Sequence, residues 1–117
     1  MTSFIYQAKA PTPGQQASGL TENTDGSLSI STGKVVEVMD MPRVVLVAPA
    51  RGQSTADFNR LTYNRLKTIR DNADASAPRP AVGQERYGIW QGPDGVVSAG
   101  LGVVTWVGDH VAIAIVE

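Results

Sequence analysis

From position 27 onward, apolar and polar residues alternate in the two-residue rhythm of strands. Leu28 and Ile30 alternate with Ser27, Ser29 and Ser31, which sets one apolar and one wet face. Lys34-Val35-Val36-Glu37-Val38 follows, and Arg43-Val44-Val45-Leu46-Val47-Ala48 is apolar on both faces, the pattern of a central strand. Pro42, between these runs, cannot donate to a ladder and predicts a turn or an edge. The last third predicts an antiparallel meander. Its strands run from Glu85 to Gln91, from Val96 to Val107 and from His110 to Val116. Gly92-Pro93-Asp94-Gly95 and Gly108-Asp109 supply the turns, and Gly100 and Gly102 mark a bulge or close packing within the middle strand.

A single helix is expected over about residues 54–74. Ser54-Thr55-Ala56-Asp57 matches a capping box, in which Ser54 accepts from the backbone N–H near Asp57. Phe58, Leu61, Leu66 and Ile69 then fall in one broad stripe at helical spacing, with Arg65 inside its angular range. Lys67 with Asp71, and Arg70 with Asp74, are placed to pair at i,i+4. Residues 76–80 read as an extended linker.

The first third differs in texture. Residues 1–33 carry only three charges, Lys9, Glu22 and Asp25, among Thr, Ser, Gln, Gly and Pro. Pro11 and Pro13 force extended backbone, and Phe4, Ile5 and Tyr6 form an apolar tip ahead of them. The division expected is an extended N-terminal arm over 1–26 and one β-rich domain over 27–117. The tip is expected to dock on the chain's own body, a sister subunit or a larger assembly. Loss of 1–26 should then spare folding and harm assembly. No internal repeat is expected. The fold class is α+β, mainly antiparallel β as a meander, small barrel or sandwich, with one helix and the extended arm.

Charge and composition narrow the function. Ten Lys plus Arg against eleven Asp plus Glu leave a net charge of −1, which excludes holding nucleic acid chiefly by bulk charge. The chain has no cysteine, hence no thiol chemistry and no disulfide. No apolar run approaches the ~20 residues that cross a bilayer. A basic segment leading into an apolar one is missing at the N-terminus, so no secretory leader is expected. The cytoplasm of a bacterial host, or a virus particle, is the expected location.

Candidate chemistry is sparse. His110 stands alone beside an expected hairpin turn, with no nucleophile elbow to serve. One His and scattered carboxylates make no metal-ligand spacing. Gly33-Lys34 lacks the upstream Gly and the following Ser or Thr of a phosphate loop, and Gly100-Leu101-Gly102 lacks the third Gly of a dinucleotide fingerprint. No catalytic, cofactor or metal residue is assigned, and an enzyme is not expected. Arg60, Tyr63, Lys67 and Arg70 fall opposite the apolar stripe as a candidate anionic-surface contact, though nearby acids nearly cancel their charge. Arg65, within the stripe, is a candidate ion-pair anchor for a partner, as Phe4, Ile5 and Tyr6 are candidate partner contacts.

The Met1-Thr2-Ser3 start, the Thr/Pro/Gly-rich stretch through Gly33 and the closing Ala112-Ile113-Ala114-Ile115-Val116 resemble small virion accessory proteins of tailed bacteriophages. In particular, they resemble the lambda-type head decoration, or cement, proteins. The resemblance covers the two ends, a third of the chain. It implies a symmetric homo-oligomer, a trimer favoured, whose N-terminal arms clamp the outside of a capsid. Its partners would be its own copies and a major capsid or other virion protein. A small phage or bacterial inhibitory or immunity protein is the alternative, and neither reading needs a cofactor, a membrane or nucleic acid.

Overall fold

The computed structural model describes residues 4–6, 9–41, 44–73, 78–107 and 112–116. The chain is α+β and mainly antiparallel β, with one α-helix among the described residues. Strands β1 (Ile5–Tyr6), β2 (Gln16–Glu22), β3 (Leu28–Asp40) and β4 (Leu46–Ala48) come first. A 3₁₀ turn (Thr55–Asp57), β5 (Asn59–Arg60) and α1 (Tyr63–Asn72) follow, and then β6 (Glu85–Gln91), β7 (Val97–Trp106) and β8 (Ala112–Val116). The described helix is neither long nor apolar enough to cross a membrane.

Two four-stranded sheets are formed, in the orders β1-β8-β2-β3 and β4-β6-β7-β5. Each is built on a hairpin, β2–β3 or β6–β7, with a further strand bonded to both of its members. That further strand comes from the other half of the chain. β8 runs parallel to β2 at Leu20↔Ile115 and antiparallel to β3, while β4 runs parallel to β6 at Leu46↔Ile89 and antiparallel to β7. The halves are therefore interlocked, and the expected meander is not what forms. β8 leaves β7 and crosses to the first sheet.

The two hairpins are copies of one plan, displaced by 69 positions (Gly14 to Gly83). Pro11, Gly14, Gln15, Gly19, Asp25, Gly26, Ser29, Gly33 and Val35 recur as Pro80, Gly83, Gln84, Gly88, Asp94, Gly95, Ser98, Gly102 and Val104. The backbone repeats with them. Gly14 N–H donates to the Val35 carbonyl at 2.8 Å and Gly83 N–H to that of Val104 at 2.9 Å. Gln15 Oε1 accepts from Thr12 N–H and Gln84 Oε1 from Ala81 N–H, both at 2.8 Å. At the hairpin tips, Asp25 Oδ1 accepts from Ser27 N–H and Asp94 Oδ1 from Val96 N–H, both at 3.0 Å. Gly26 and Gly95 follow at φ 87° and 83°, a conformation other residues resist. Even the register break recurs, between Val35 and Glu37 in one sheet and between Leu46 and Val47 in the other. The absence of a repeat expected from sequence is thus corrected. The shared residues sit at turns and close approaches, and the facing side chains differ freely.

One segment breaks the symmetry. Leu61 is wedged between equivalent residues, accepting from Leu28 N–H at 3.1 Å and donating to the Val97 carbonyl at 3.0 Å. Leu20, Leu28, Leu61, Leu66, Ile89, Val97 and Ile113, each at most 1% exposed, form the shared core with Phe4 and Met41. A second cluster joins Val45, Val47, Phe58 and Val104, with Trp90 tilted on Phe58 at 4.9 Å between ring centres.

Three expectations change. The stretch expected to be extended through Gly14 instead turns at Pro13-Gly14, where Gln15 N–H donates to the Thr12 carbonyl at 3.1 Å and Gly14 takes φ 94°, and β2, next along the chain, is bound into this chain's own sheet. The boundary at 26/27 falls inside the β2–β3 hairpin, where Glu22 pairs with Leu28. The helix begins at Tyr63 with Thr62 as its cap, while Ser54 caps only the 3₁₀ turn, accepting from Ala56 N–H. Phe58 and Leu61 therefore precede the helix, and the stripe contracts to Leu66, with Ile69 beside it. Pro42, the linker residues 76–77 and the Gly108-Asp109 turn lie outside the described residues.

Candidate functional site

The residues proposed from sequence separate into three groups. Phe4, Ile5 and Tyr6 serve the fold itself. Phe4 is wholly buried, Ile5 and Tyr6 pair with Ile113 and Ala112, and the Tyr6 hydroxyl donates to the Ser18 carbonyl. Burial raises the Tyr6 phenol pKa, partly offset by that hydrogen bond. As partner contacts these three are corrected: an apolar tip finds its buried place on β8 of its own chain.

Arg60, Tyr63, Lys67 and Arg70 are not one helix face. Arg60 lies on β5 and pairs with Asp25 at 3.4 Å. Arg70 pairs with its neighbour Asp71 at 3.1 Å, and Asp74, the partner expected, is outside the described residues. Lys67 Nζ sits 4.7 Å from the centre of the Tyr63 ring. The Tyr63 hydroxyl donates to Glu37 Oε1, and that bond, with burial behind it, raises the phenol pKa. The cations are engaged by acids or a ring, so this surface is a set of local pairs. His110 lies outside the described residues, which contain no group of three potential metal ligands.

Arg65 has a different setting. It is exposed on the first turn of α1, its Nη2 3.3 Å from the Tyr87 hydroxyl, and it belongs to no ion pair among the described residues. Below it runs a groove of about 440 Å³ between α1 and the second sheet. Val44, Val45, Ile69, Ala73, Tyr87 and Gly88 form its walls.

At the groove's edge, Tyr87 also pairs directly with Leu101 across β6 and β7, and the two are 48% and 56% exposed. Directly opposed residues share one face of a sheet, so this is a single apolar patch. The equivalent pair in the first hairpin is Ser18↔Thr32, polar side chains whose hydroxyls lie 3.4 Å apart. The strand pattern over Glu85–Gln91 and Val96–Val107 singles out neither Tyr87 nor Leu101 as a surface residue. Setting each residue beside the one 69 positions on would have found both, as Ser18 against Tyr87 and Thr32 against Leu101.

No protein-family model, characterised protein or solved structure matches this chain.

Proposed function

We propose that this chain is a structural assembly protein that acts by protein–protein contact, without catalysis. The observation that supports this reading is the Tyr87–Leu101 patch. Large apolar side chains stand in water on one hairpin where its copy carries serine and threonine. Clustered exposed apolar residues favour association, whereas scattered ones need no explanation. The finer reading is a virion accessory protein of the head-decoration kind, and it draws on the resemblance of the chain's ends. Its partners would be its own copies, a trimer favoured, and a capsid or other virion protein. With Phe4–Tyr6 committed to the chain's own sheet, the contact moves from an arm to the β6–β7 face.

Light scattering of the wild type beside the double variant Tyr87→Ser/Leu101→Thr tests the proposal, because the variant copies the other hairpin's own pair. The wild type should be a homo-oligomer and the variant should dissociate with an unchanged circular dichroism spectrum. A monomeric wild type, or a variant that associates equally well, would overturn it.

A further inference from the structure

The repeat supplies a template for the groove beside α1. Shifted by 69 positions, Val44 and Val45 stand where Ile113 and Ala114 stand in the first sheet, and Tyr87 and Gly88 where Ser18 and Gly19 stand. In the first sheet this wall is covered. Ile5 pairs with Ile113, the Tyr6 hydroxyl reaches the Ser18 carbonyl, and Phe4 fills the space behind them with no exposure at all. The position equivalent to Phe4 is Ala73, the residue that ends α1. Both residues pack against the same core cluster, but a methyl group stands where the first half has a benzyl side chain. That methyl group, Ala73, is part of the groove's wall.

The rim adds a charge. Arg65 lines the groove with its guanidinium on the Tyr87 hydroxyl and, among the described residues, no carboxylate within ion-pair reach. A guanidinium is a planar fork matched to a carboxylate. A neutral phenol occupies only part of that capacity. The hollow fits an aromatic ring, and its rim fits an acid beside that ring.

We propose that this groove receives an aromatic side chain from an extended segment of a partner protein, with an adjacent Asp or Glu of that segment on Arg65. The proposal rests on the assembly reading and names the chemistry of the partner's segment. The aromatic anchor plays the part that Phe4 plays within the chain, and the carboxylate fixes its direction. Buried aromatic anchors beside a charged contact commonly carry most of the energy of such an interface.

A random peptide library panned on the immobilised full-length protein provides the probe. The selected peptides should share an aromatic residue within two positions of Asp or Glu. One of them, synthesised, should bind the wild type at least about tenfold more tightly than it binds Ala73→Phe, which fills the groove, or Arg65→Glu, which reverses the rim. Arg65→Glu lies at an exposed position and decides the matter alone should Ala73→Phe fail to fold. No selected peptides, peptides without the aromatic–acidic pair, or equal binding to the folded variants would overturn the proposal. If they do so while Tyr87→Ser/Leu101→Thr still dissociates the oligomer, the groove is refuted and the assembly reading stands. A monomeric wild type refutes the self-assembly whatever the peptides do.

Discussion

At Gly19 and Gly88 the two halves come within backbone contact of each other. A Cβ on Gly88 would lie 2.6 Å from the Val45 carbonyl oxygen, and one on Gly19 would overlap the carbonyl of Ala114. The nearest obstacle at each is a backbone carbonyl, which cannot turn away as a side chain can, so the strand itself must shift. Alanine at either position should destabilise by about 2–4 kcal/mol, read from the denaturant midpoint. Gly26→Ala should cost only about 1 kcal/mol, since its positive φ is strained but nothing stands near it. Asp25 sets a pH dependence at the same scale. The Ser27 hydroxyl first, then Ser27 N–H, with Arg60 adding, hold its carboxyl below the ordinary aspartate value of 3.8. A lowered pKa in the folded state stabilises above the ordinary value, and that contribution is lost as pH falls through the lowered one. Thermal denaturation through the acid range should therefore show a shallower loss of stability in Asp25→Asn than in the wild type. Its equivalent, Asp94, makes the same backbone contact to Val96 but faces no serine hydroxyl there.

At the scale of elements, the caps decide where the helix lies. Thr62 Oγ1 accepts from Arg65 N–H at 3.2 Å and holds the start of α1, so Thr62→Ala should cost about 1 kcal/mol by chemical denaturation. Ser54→Ala, at a 3₁₀ turn with no buried residue, should move the midpoint little. Ser54 and Thr62 show why sequence alone placed the start eight residues early: both are good caps, and apolar residues follow each at compatible spacing. The choice falls to Leu61 and Phe58, which are drawn as extended chain into two different core clusters. Strands were more legible. The alternation at Leu28 and Ile30 and the turn at Asp94-Gly95 lie where the pattern put them, and of the Val-rich run Leu46–Ala48 forms a strand while Val44 and Val45 precede it. Their partners were not legible, because alternating Ile113 and Ile115 fit any half-buried sheet face equally well. Of the candidate site, Arg65 could be singled out as a cation among apolar neighbours. The groove beneath it could not, since it depends on Ala73 standing opposite a wall from another part of the chain. Val47, 2% exposed, carries the burial in β4, while Leu46 is only partly buried. Leu46→Ala should thus cost about 2 kcal/mol, the low end for a core leucine.

For the whole molecule, the exchange of β4 and β8 means that neither half owns a complete sheet. Hairpin β2–β3 lacks the strand that covers it until the last residues arrive, and β6–β7 depends on β4 from before the helix. Pairings this distant in sequence must close long loops before they gain hydrogen bonds or burial, which predicts slow, cooperative folding. It also reverses the expectation for the N-terminal segment. A chain of residues 27–117 loses Phe4 and Leu20, both wholly buried, together with β3's hairpin partner along Gln16–Glu22. That truncated chain should show no cooperative unfolding transition. Cutting between the halves is a different matter, because everything each sheet needs is still present in solution. The connection around Arg51-Gly52 is exposed and lies after β4 and before β5. Fragments 1–51 and 52–117 should each lack a stable fold, since each carries a hairpin without its covering strand. Mixed in equal amounts, they should recover the wild-type circular dichroism spectrum, because β4 and β8 then cross between fragments as they cross between halves. Titrating one fragment into the other by circular dichroism checks this, and the signal should saturate at one to one. A fragment that folds cooperatively alone, or a mixture equal to the sum of its parts, would mean that the strands do not exchange.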